Sequence, residues 1–546
     1  MNRIGLILLL LPLLLAGCPQ PDNGKPKPKP KPLDPIHVIG PFGGTADADG
    51  GAPVMLTVSG QVTFDRLPVT ASGLGGTPLS NPAANVLIEA VRHNDIFAVV
   101  GSTTTDASGN YTLNLNLTHD FYMRARATSG IGGNVDTVFH NRTSPPIAHA
   151  AVGPILNRAA GSQTANLHAD TAQPHNRAGA FAILDTITRL RDAVAGSFAN
   201  LGPLDVLWSN GGNLTSETYA SGFNGNPTIT LAGGSKADPL NTDHDEFDET
   251  VIAHEWASFL QLTQSRDNNF GGPHAGEELI YSAAYSEGVV TAIGCALLGT
   301  ATYRDTTGFS GGATSVRFEF DLESGLLPGT GLGYGSEFRV SRVVWDLLDG
   351  GAGWPGDTDS DPVAIDAADF FASFAALKTR AAPYEVAWLA SLLQQLIDDG
   401  HLSIADADTL MQSQGAAFPP AGGDSFPEVL AVGGANATGS LDAYSGTLPN
   451  PVLGPQANAV YRIELTSAQA VQLVLTNTTA GYNASAHKLV LSVHDLDRNV
   501  LGISDGTAAS KNLNLNLAAG TYIVRVQHVP ASQAQSASSS FTLAAS

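Results

Sequence analysis

Cysteine is almost missing from this sequence, which has only Cys18 and Cys295 among its 546 residues. We therefore expect no intrachain disulfide framework. Cys295 lies in an apolar helical run, Val289–Gly299, and is best interpreted as a small core residue. Cys18 follows a short apolar segment and needs a different explanation.

Positive charge is also scarce, since 27 Lys and Arg residues stand against 50 Asp and Glu residues, for a formal net charge of −23. Binding of nucleic acid requires clustered lysine and arginine, so this balance argues against a nucleic-acid partner. Charged residues make up only 14% of the chain, while glycine is abundant with 59 residues. We therefore expect much turn and strand structure and few long surface helices. The sequence also contains no phosphate-binding loop, nucleotide-binding fingerprint or Cys–His nucleophile pair.

The first 17 residues combine Arg3 with an apolar run and the tripeptide Leu15–Gly17 before Cys18. The apolar run is short for a membrane-spanning helix and is typical of an export signal. The residues Leu-Ala-Gly-Cys resemble the bacterial lipoprotein lipobox, which implies cleavage before Cys18 and lipidation of its thiol. The alternative is an ordinary signal with an incidental cysteine. We expect an exported protein, anchored through lipid on Cys18 to a bacterial membrane, at the outer membrane or the cell surface.

The remaining chain divides by composition and periodicity. Alternating lysine and proline after Cys18 disfavour a helix and predict an extended spacer. Short alternating patterns between turn signals predict antiparallel β-sandwiches near both ends, with helical patterns between them. The predicted fold class is multidomain α+β, with a β-sandwich, a zincin-like α+β domain and a C-terminal β-sandwich. The predicted segments are the signal peptide 1–17, the linker 18–35, the first sandwich 36–150, the central domain 151–434 and the second sandwich 435–546.

The stretch Glu246–Gln261 carries most of a zinc-peptidase motif. In that motif two histidines four residues apart on one helix bind Zn²⁺, and the glutamate after the first is the general base. His254 and Glu255 occupy the first two positions, but Ser258 stands where the second histidine belongs. A neutral hydroxyl is a poor zinc ligand beside an imidazole or a carboxylate.

A third ligand is expected on the next predicted helix, where Glu287 follows His254 by 33 residues. His274 lies in the intervening loop and is a candidate substitute for the missing imidazole; it is equally open to a substrate-side or structural role. A water held by Ser258 is another conceivable replacement. The strand predicted over Asn226–Gly234 would form the sheet edge to which an extended substrate adds.

The segment DEFDETVIAHEW, with the later GGPH and SEG, resembles a bacterial gluzincin-like metallopeptidase family. The resemblance implies that His254 and Glu287 are zinc ligands and that Glu255 is the base. In that family the helix normally reads His-Glu-Trp-Gly-His, so this chain departs at Ser258. The stretch STTTDASGNYTL resembles a carboxypeptidase-regulatory-like domain, and the turn Ala518–Tyr522 resembles those of pre-peptidase C-terminal-like domains.

Two functions follow from this pattern. The first is a pseudopeptidase that keeps a groove for peptides or envelope partners and holds zinc weakly, which the loss at Ser258 favours. The alternative is an active zinc metallopeptidase that hydrolyses peptide bonds with altered metal ligation. Both predict a peptide or protein as the partner, in addition to the membrane.

Overall fold

The computed structural model describes most of the chain beyond the lysine–proline linker. The described residues are 52–131, 134–140, 146–172, 176–211, 218–221, 227–234, 243–271, 274, 276, 278–308, 314–324, 327, 331–356, 363–381, 384–420, 426–442, 457–483, 487–528 and 538–546. The predicted signal peptide, the linker and Cys18 lie outside them. Within the described residues, no helix combines the length and apolar character that crossing a bilayer requires.

The chain forms two compact units. The first unit comprises Asp22–Gln264 and Ile293–Asp321, and the second includes Ser265–Ala292 and Leu322–Ser546. Both contain helices and several sheets, so the predicted multidomain α+β fold with β-sandwich-like domains is confirmed. The predicted division into three domains at residues 150 and 434 stays a prediction.

The first unit is built on two large sheets. Its described strands are β1 (Val54–Arg66), β2 (Val69–Thr70), β3 (Gly73–Leu74), β4 (Leu79–Pro82), β5 (Val86–Arg92), β6 (Val99–Thr104), β7 (Asn110–Leu117), β8 (Phe121–Ile131), β9 (Asn134–His140), β10 (Ala150–Leu156), β11 (Gln163–Thr164), β12 (Leu167–Ala169), β13 (Leu204–Trp208), β14 (Tyr219–Ser221), β15 (Thr228–Thr230), β16 (Thr302–Gly308) and β17 (Thr314–Asp321). In one sheet β1 pairs with β4, β7, β11 and β12. The other has the order β14-β15-β13-β9-β8-β5-β6, with β10 on β8. Strand β7 alternates strictly between exposed and buried residues, as a strand with one covered face should.

The second sheet continues across residue 150. Strand β13 pairs in parallel with β9, and β15 pairs with β13 in turn. Strand β15 is therefore an inner strand, because β14 covers its other side. The prediction that the Asn226–Gly234 strand forms the sheet edge is wrong; the three-residue strand β14 takes that place, and its partner β15 has no free backbone row for substrate.

Helices α1 (Arg177–Val194) and α2 (Glu249–Gln264) belong to the first unit. The helical spacing of Ile183, Ile187 and Leu190 predicts an apolar face for α1, and these side chains are buried. Asn176 precedes α1 but makes no side-chain cap; its Nδ2 donates instead to Glu246 Oε1 at 3.0 Å. This bond ties the start of α1 to the segment that leads into α2.

Helix α3 (Tyr281–Leu298) begins in the second unit and ends in the first. The second unit adds α4 (Glu337–Leu348), α5 (Ala367–Ala376), α6 (Leu389–Asp398) and α7 (Ile404–Ser413). Short 3-10 helices occupy Arg158–Ala160 in the first unit, and Gly333–Gly335 and Leu377–Thr379 in the second. The apolar pattern over 382–400 predicts a longer helix, but α6 begins only at Leu389.

The described C-terminal strands of the second unit are β18 (Glu428–Val429), β19 (Ala437–Leu441), β20 (Asn458–Leu465), β21 (Gln469–Asn477), β22 (Leu489–His494), β23 (Val500–Ser504), β24 (Ser510–Leu517), β25 (Gly520–His528) and β26 (Ser539–Ala545). They form sheets of order β18-β20-β25-β22-β23 and β19-β26-β21-β24. Apolar side chains from both sheets share one core, which also contains Leu430. The predicted boundary at 435 thus leaves β18 and Leu430 outside a sandwich to which they contribute.

Candidate functional site

Helix α2 presents the residues in which the zinc-peptidase motif is recognisable. His254 is half-buried, and its ring meets the ring of Tyr303 edge-on, with centroids 6.2 Å apart. Glu255 is 4% exposed. Burial raises the pKa of Tyr303 well above its ordinary value, and the negative charges of Asp305 and then of Glu255 raise it further. The motif face of α2 therefore packs against the β16–β17 hairpin of the same unit.

Ser258 uses its hydroxyl hydrogen within the helix. Its Oγ donates to the backbone carbonyl of His254 at 3.2 Å, and the residue is 8% exposed. Serine and threonine commonly return their hydroxyl to the carbonyl four residues earlier in a helix. Thr263 does the same one turn later, to Phe259 at 2.9 Å. The hydroxyl of Ser258 is thus oriented towards the backbone of its own helix, where it bonds the His254 carbonyl.

Glu287 and His274 lie together in the second unit. Glu287 is 3% exposed on α3, and its Oε1 accepts from Asn269 Nδ2 at 2.6 Å. Its Oε2 is 3.6 Å from Nε2 of the buried His274. On the other side of the ring, Nδ1 of His274 is 2.5 Å from Glu337 Oε2. One imidazole is therefore held between two carboxylates.

Close packing of two helices positions these carboxylates. Gly288 follows Glu287 on α3, and a Cβ at this position would lie 2.6 Å from both the Glu337 carbonyl and Val340. Glycine therefore lets the first turn of α4 approach α3, which brings Glu337 to His274. Ser336 caps α4 by accepting from Arg339 N at 3.4 Å and thereby fixes where the helix begins.

The electrostatics of this cluster favour a charged ring. Burial lowers the pKa of His274, but the carboxylates of Glu337 and Glu287 outweigh burial and hold that pKa well above its ordinary value. Without a metal, the cluster is thus a buried imidazolium between two acids. The 3.6 Å between His274 Nε2 and Glu287 Oε2 also suits a shared metal, because two ligands of one tetrahedral zinc lie about 3.4 Å apart. Carboxylates behind a zinc-bound histidine, as Glu337 is here, orient such ligands.

The predicted site residues therefore fall into two groups. His254, Glu255 and Ser258 share α2 in the first unit, and Glu287 and His274 share a cluster in the second. The zinc pairing of His254 with Glu287 stays a prediction. Sequence reasoning missed Asn269 and Glu337. The sequence signal for Glu337 is its position after Ser336, a residue type that often begins a helix. The signal for Asn269 is its place in the same glycine-bearing loop as His274.

Comparison with known proteins gives little. No family model matches the sequence, and no curated protein matches it. Several solved structures are similar to part of the chain, among them the following three. The pre-peptidase C-terminal domain of collagenase from Bacillus anthracis is 14% identical, over 22% of this chain and 92% of that one, with a TM-score of 0.16. PliG of Aeromonas hydrophila, a periplasmic inhibitor of g-type lysozyme, is 16% identical over 22% of this chain and 96% of PliG, with a TM-score of 0.14. A 9R-lipoxygenase from Cyanothece is 10% identical over 27% of this chain and 24% of the lipoxygenase, with a TM-score of 0.13. TM-scores this low support no argument about function.

Proposed function

We propose that this protein is a peptidase-related lipoprotein of the cell envelope, which binds peptide or protein segments and hydrolyses them poorly. The observation that carries the proposal is the bond from Ser258 to the His254 carbonyl. Helix α2 offers a metal one imidazole where the helices of zinc peptidases offer two. At the second position the Ser258 hydroxyl is oriented towards the helix backbone, and a neutral hydroxyl is a poor zinc ligand beside an imidazole.

Loss of one imidazole should weaken zinc binding strongly. Even the loss of a partner that only orients a ligand costs about 10–100-fold in metal affinity or activity. A missing ligand should cost more, so zinc should be held below one ion per chain. Without zinc, Glu255 has no activated water from which to take a proton, and peptide hydrolysis should be slow.

The decisive experiment restores the missing ligand. The full-length protein is dialysed against zinc, and bound metal is measured by elemental analysis beside cleavage of a casein-type substrate. We expect less than one zinc per chain in the unmodified protein, and a rise towards one in Ser258→His. Stoichiometric zinc in the unmodified protein contradicts the proposal, as does a Ser258→His variant with no gain.

Thr263→His is the matched control. Thr263 makes the same kind of backbone bond on the same helix but lies nine residues from His254, off the four-residue ligand spacing. A histidine there should gain no zinc. An equal gain in both variants would show non-specific binding to an added imidazole and would remove the support for a site on α2.

The alternative of an active peptidase with altered ligation is favoured by one distance. His274 Nε2 and Glu287 Oε2 lie 3.6 Å apart, close to the spacing of two ligands on one zinc, with Glu337 behind the ring. Under this alternative the unmodified protein holds one zinc, which His274→Ala and Glu287→Gln both remove. Glu255→Gln should then abolish cleavage while leaving the zinc in place.

Anchoring through Cys18 is a separate part of the proposal. The sequence before Cys18 supports it, and the lysine–proline linker after it suits a spacer between lipid and fold. Cys18→Ser should release the protein from the membrane fraction. Equal retention of the variant would contradict lipid anchoring.

A further inference from the structure

A second group of buried acids lies in the first unit, where the β16–β17 hairpin meets the segment before α2. Asp243 forms an isolated β-bridge with Thr307, and Asp305 lies on β16. Asp243, Asp245 and Asp305 each offer one ligand atom, and these atoms lie within 4.8 Å of one another. Their residues are 7%, 0% and 5% exposed, respectively. The cluster is therefore an interior feature rather than a solvated acidic surface.

One oxygen of each carboxylate already has a partner. Oδ2 of Asp243 forms an ion pair with Arg317 on β17, and Oδ2 of Asp305 is 3.6 Å from the same guanidinium. Oδ2 of Asp245 accepts from the Thr218 hydroxyl and, at 3.0 Å, from the backbone N–H of Ala232. These contacts hold each of the three carboxylates through its Oδ2 atom.

The other oxygen of each carboxylate is buried and receives no hydrogen bond from any donor among the described residues. This holds for Oδ1 of Asp243, Asp245 and Asp305 alike. A buried polar atom without a partner costs about 1–3 kcal/mol, and more when it carries charge. Three such oxygens in one cluster indicate that a partner with positive charge belongs between them.

Charge in the cluster is uncompensated as well. Asp248 lies nearby, held by the backbone N–H of Thr306 at 2.7 Å, so four buried carboxylates face one arginine. Burial, reinforced by Asp243, raises the pKa of both Asp245 and Asp305 well above the ordinary value. Without a cation, the site must take up protons to relieve the repulsion.

We propose that Asp243, Asp245 and Asp305 bind one calcium ion through their Oδ1 atoms. Carboxylate oxygens are the donors that hard cations prefer, and Ca²⁺ accepts irregular sets of them at 2.3–2.6 Å. Mg²⁺ demands a near-ideal octahedron with shorter bonds of about 2.0–2.1 Å, which carboxylates from three separate chain positions suit less well than the flexible coordination of Ca²⁺. Zinc prefers nitrogen and sulfur donors, which the three aspartates do not provide.

The position of the cluster assigns the ion a structural role. Thr250 on α2 bonds the Arg304 carbonyl on β16 at 2.7 Å, and Asp248 bonds Thr306. An ion on Asp243, Asp245 and Asp305 would join the hairpin to the lead-in of α2 at a third point. Calcium would thus hold the helix that carries His254 and Glu255, whether or not that helix binds zinc. The proposal does not rest on the proposed function.

The experiment uses full-length protein treated with EGTA and returned to calcium-free buffer. Addition of CaCl₂ should raise the melting temperature, and equilibrium dialysis should show one tightly bound calcium that excess MgCl₂ does not displace. Asp245→Asn and Asp305→Asn keep the side-chain shape but remove a charged ligand. Each should weaken calcium binding by at least tenfold, since the loss of mere orienting partners already costs about 10–100-fold.

Glu319→Gln is the matched control, because Glu319 lies on the same hairpin but is partly exposed and pairs with Arg304. It should bind calcium as the unmodified protein does. The proposal is overturned if the unmodified protein shows no calcium-dependent shift, or if both aspartate variants bind calcium normally. A shift with magnesium equal to that with calcium would overturn the assignment of calcium.

A second measurement covers the case in which the aspartate variants do not fold. Tb³⁺ replaces Ca²⁺ at oxygen sites and emits when a neighbouring tyrosine is excited. Tyr303 precedes Asp305 by two residues on β16, so its ring is a suitable donor. Tb³⁺ emission that calcium competes away, and that Tyr303→Phe reduces, is expected. Undiminished emission from Tyr303→Phe would place the ion elsewhere and overturn the proposal.

Discussion

The cluster around His274 in the second unit and the cluster around Arg317 in the first both bury carboxylates beside one basic side chain. Around His274, both oxygens of Glu287 face a partner, and Glu337 Oε1 is the carboxylate oxygen left without a hydrogen bond. Around Arg317, three oxygens are left in that state. With every group charged, the first arrangement has one negative charge in excess (two carboxylates against His274), whereas the second has three (four carboxylates against Arg317).

The difference shows what kind of partner each cluster can accept. A buried imidazolium with an acid on either side is an ion-pair network in its own right, and a metal must replace its proton. Aspartates that outnumber their arginine gain from any added cation. Burial of charge is therefore a sign of a metal site only where the oxygens lack donors, and the following experiments test that distinction.

The largest effect is expected from Glu337→Gln. Breaking a buried ion pair by removing one partner costs about 3–5 kcal/mol, because the other charge is left buried. The variant should melt well below the unmodified protein, and calcium should not restore it. Glu319→Gln, which breaks a pair on the protein surface, should change stability by less than about 1 kcal/mol. Equal melting temperatures for the two variants would contradict a distinction based on burial.

A somewhat smaller effect is expected from Arg317→Gln in the first unit. Loss of the guanidinium leaves the aspartates without their basic partner, so stability in EGTA should fall by about 3 kcal/mol. Calcium should restore most of this loss, since the ion takes over the neutralisation. Thermal unfolding with and without calcium measures both quantities. A loss that calcium leaves unchanged would place Arg317 outside the electrostatics of the site.

Gly288→Ala should cost about 1–3 kcal/mol through overpacking. The added methyl group meets the Glu337 carbonyl and Val340 and must push α4 away from α3. Gly196→Ala is the control, because a Cβ there has no neighbour within 4 Å. If urea unfolding gives the same midpoint for both, close approach of α3 and α4 does not hold Glu337 at His274.

The smallest effect is expected from Ser258→Ala. A hydroxyl that returns to its own helix contributes little to stability, and alanine favours helix, so the change should stay within about 0.5 kcal/mol. Zinc content should not change either. Thr263→Ala should behave in the same way. A loss of zinc in Ser258→Ala alone would mean that the hydroxyl, or a water on it, takes part in ligation.

Much of the architecture followed from periodicity in the chain. The alternation in Asn110–Leu117 and the helical spacing in α1 predicted elements that the structure contains, because each pattern needs one covered face. The glycine- and threonine-rich segment 300–335 is different. Its glycine and threonine content predicts a loop, yet residues 302–308 and 314–321 form β16 and β17. Its two strands pair with each other, and Thr307 on β16 also bridges Asp243. Contacts with α2 supply a burial that the local sequence does not predict.

What the sequence determined by itself is the chemistry carried on one helix. His254, Glu255 and Ser258 lie close together on α2, and their spacing alone predicts a zinc-peptidase pattern with serine at the second histidine position. Only the tertiary structure decided which distant residues share a cluster. Asp243 comes close to Asp305 through its β-bridge with Thr307 on the same strand, and Glu337 reaches His274 because Gly288 lets two helices touch. Such contacts depend on packing between elements far apart in the chain, which no local pattern encodes.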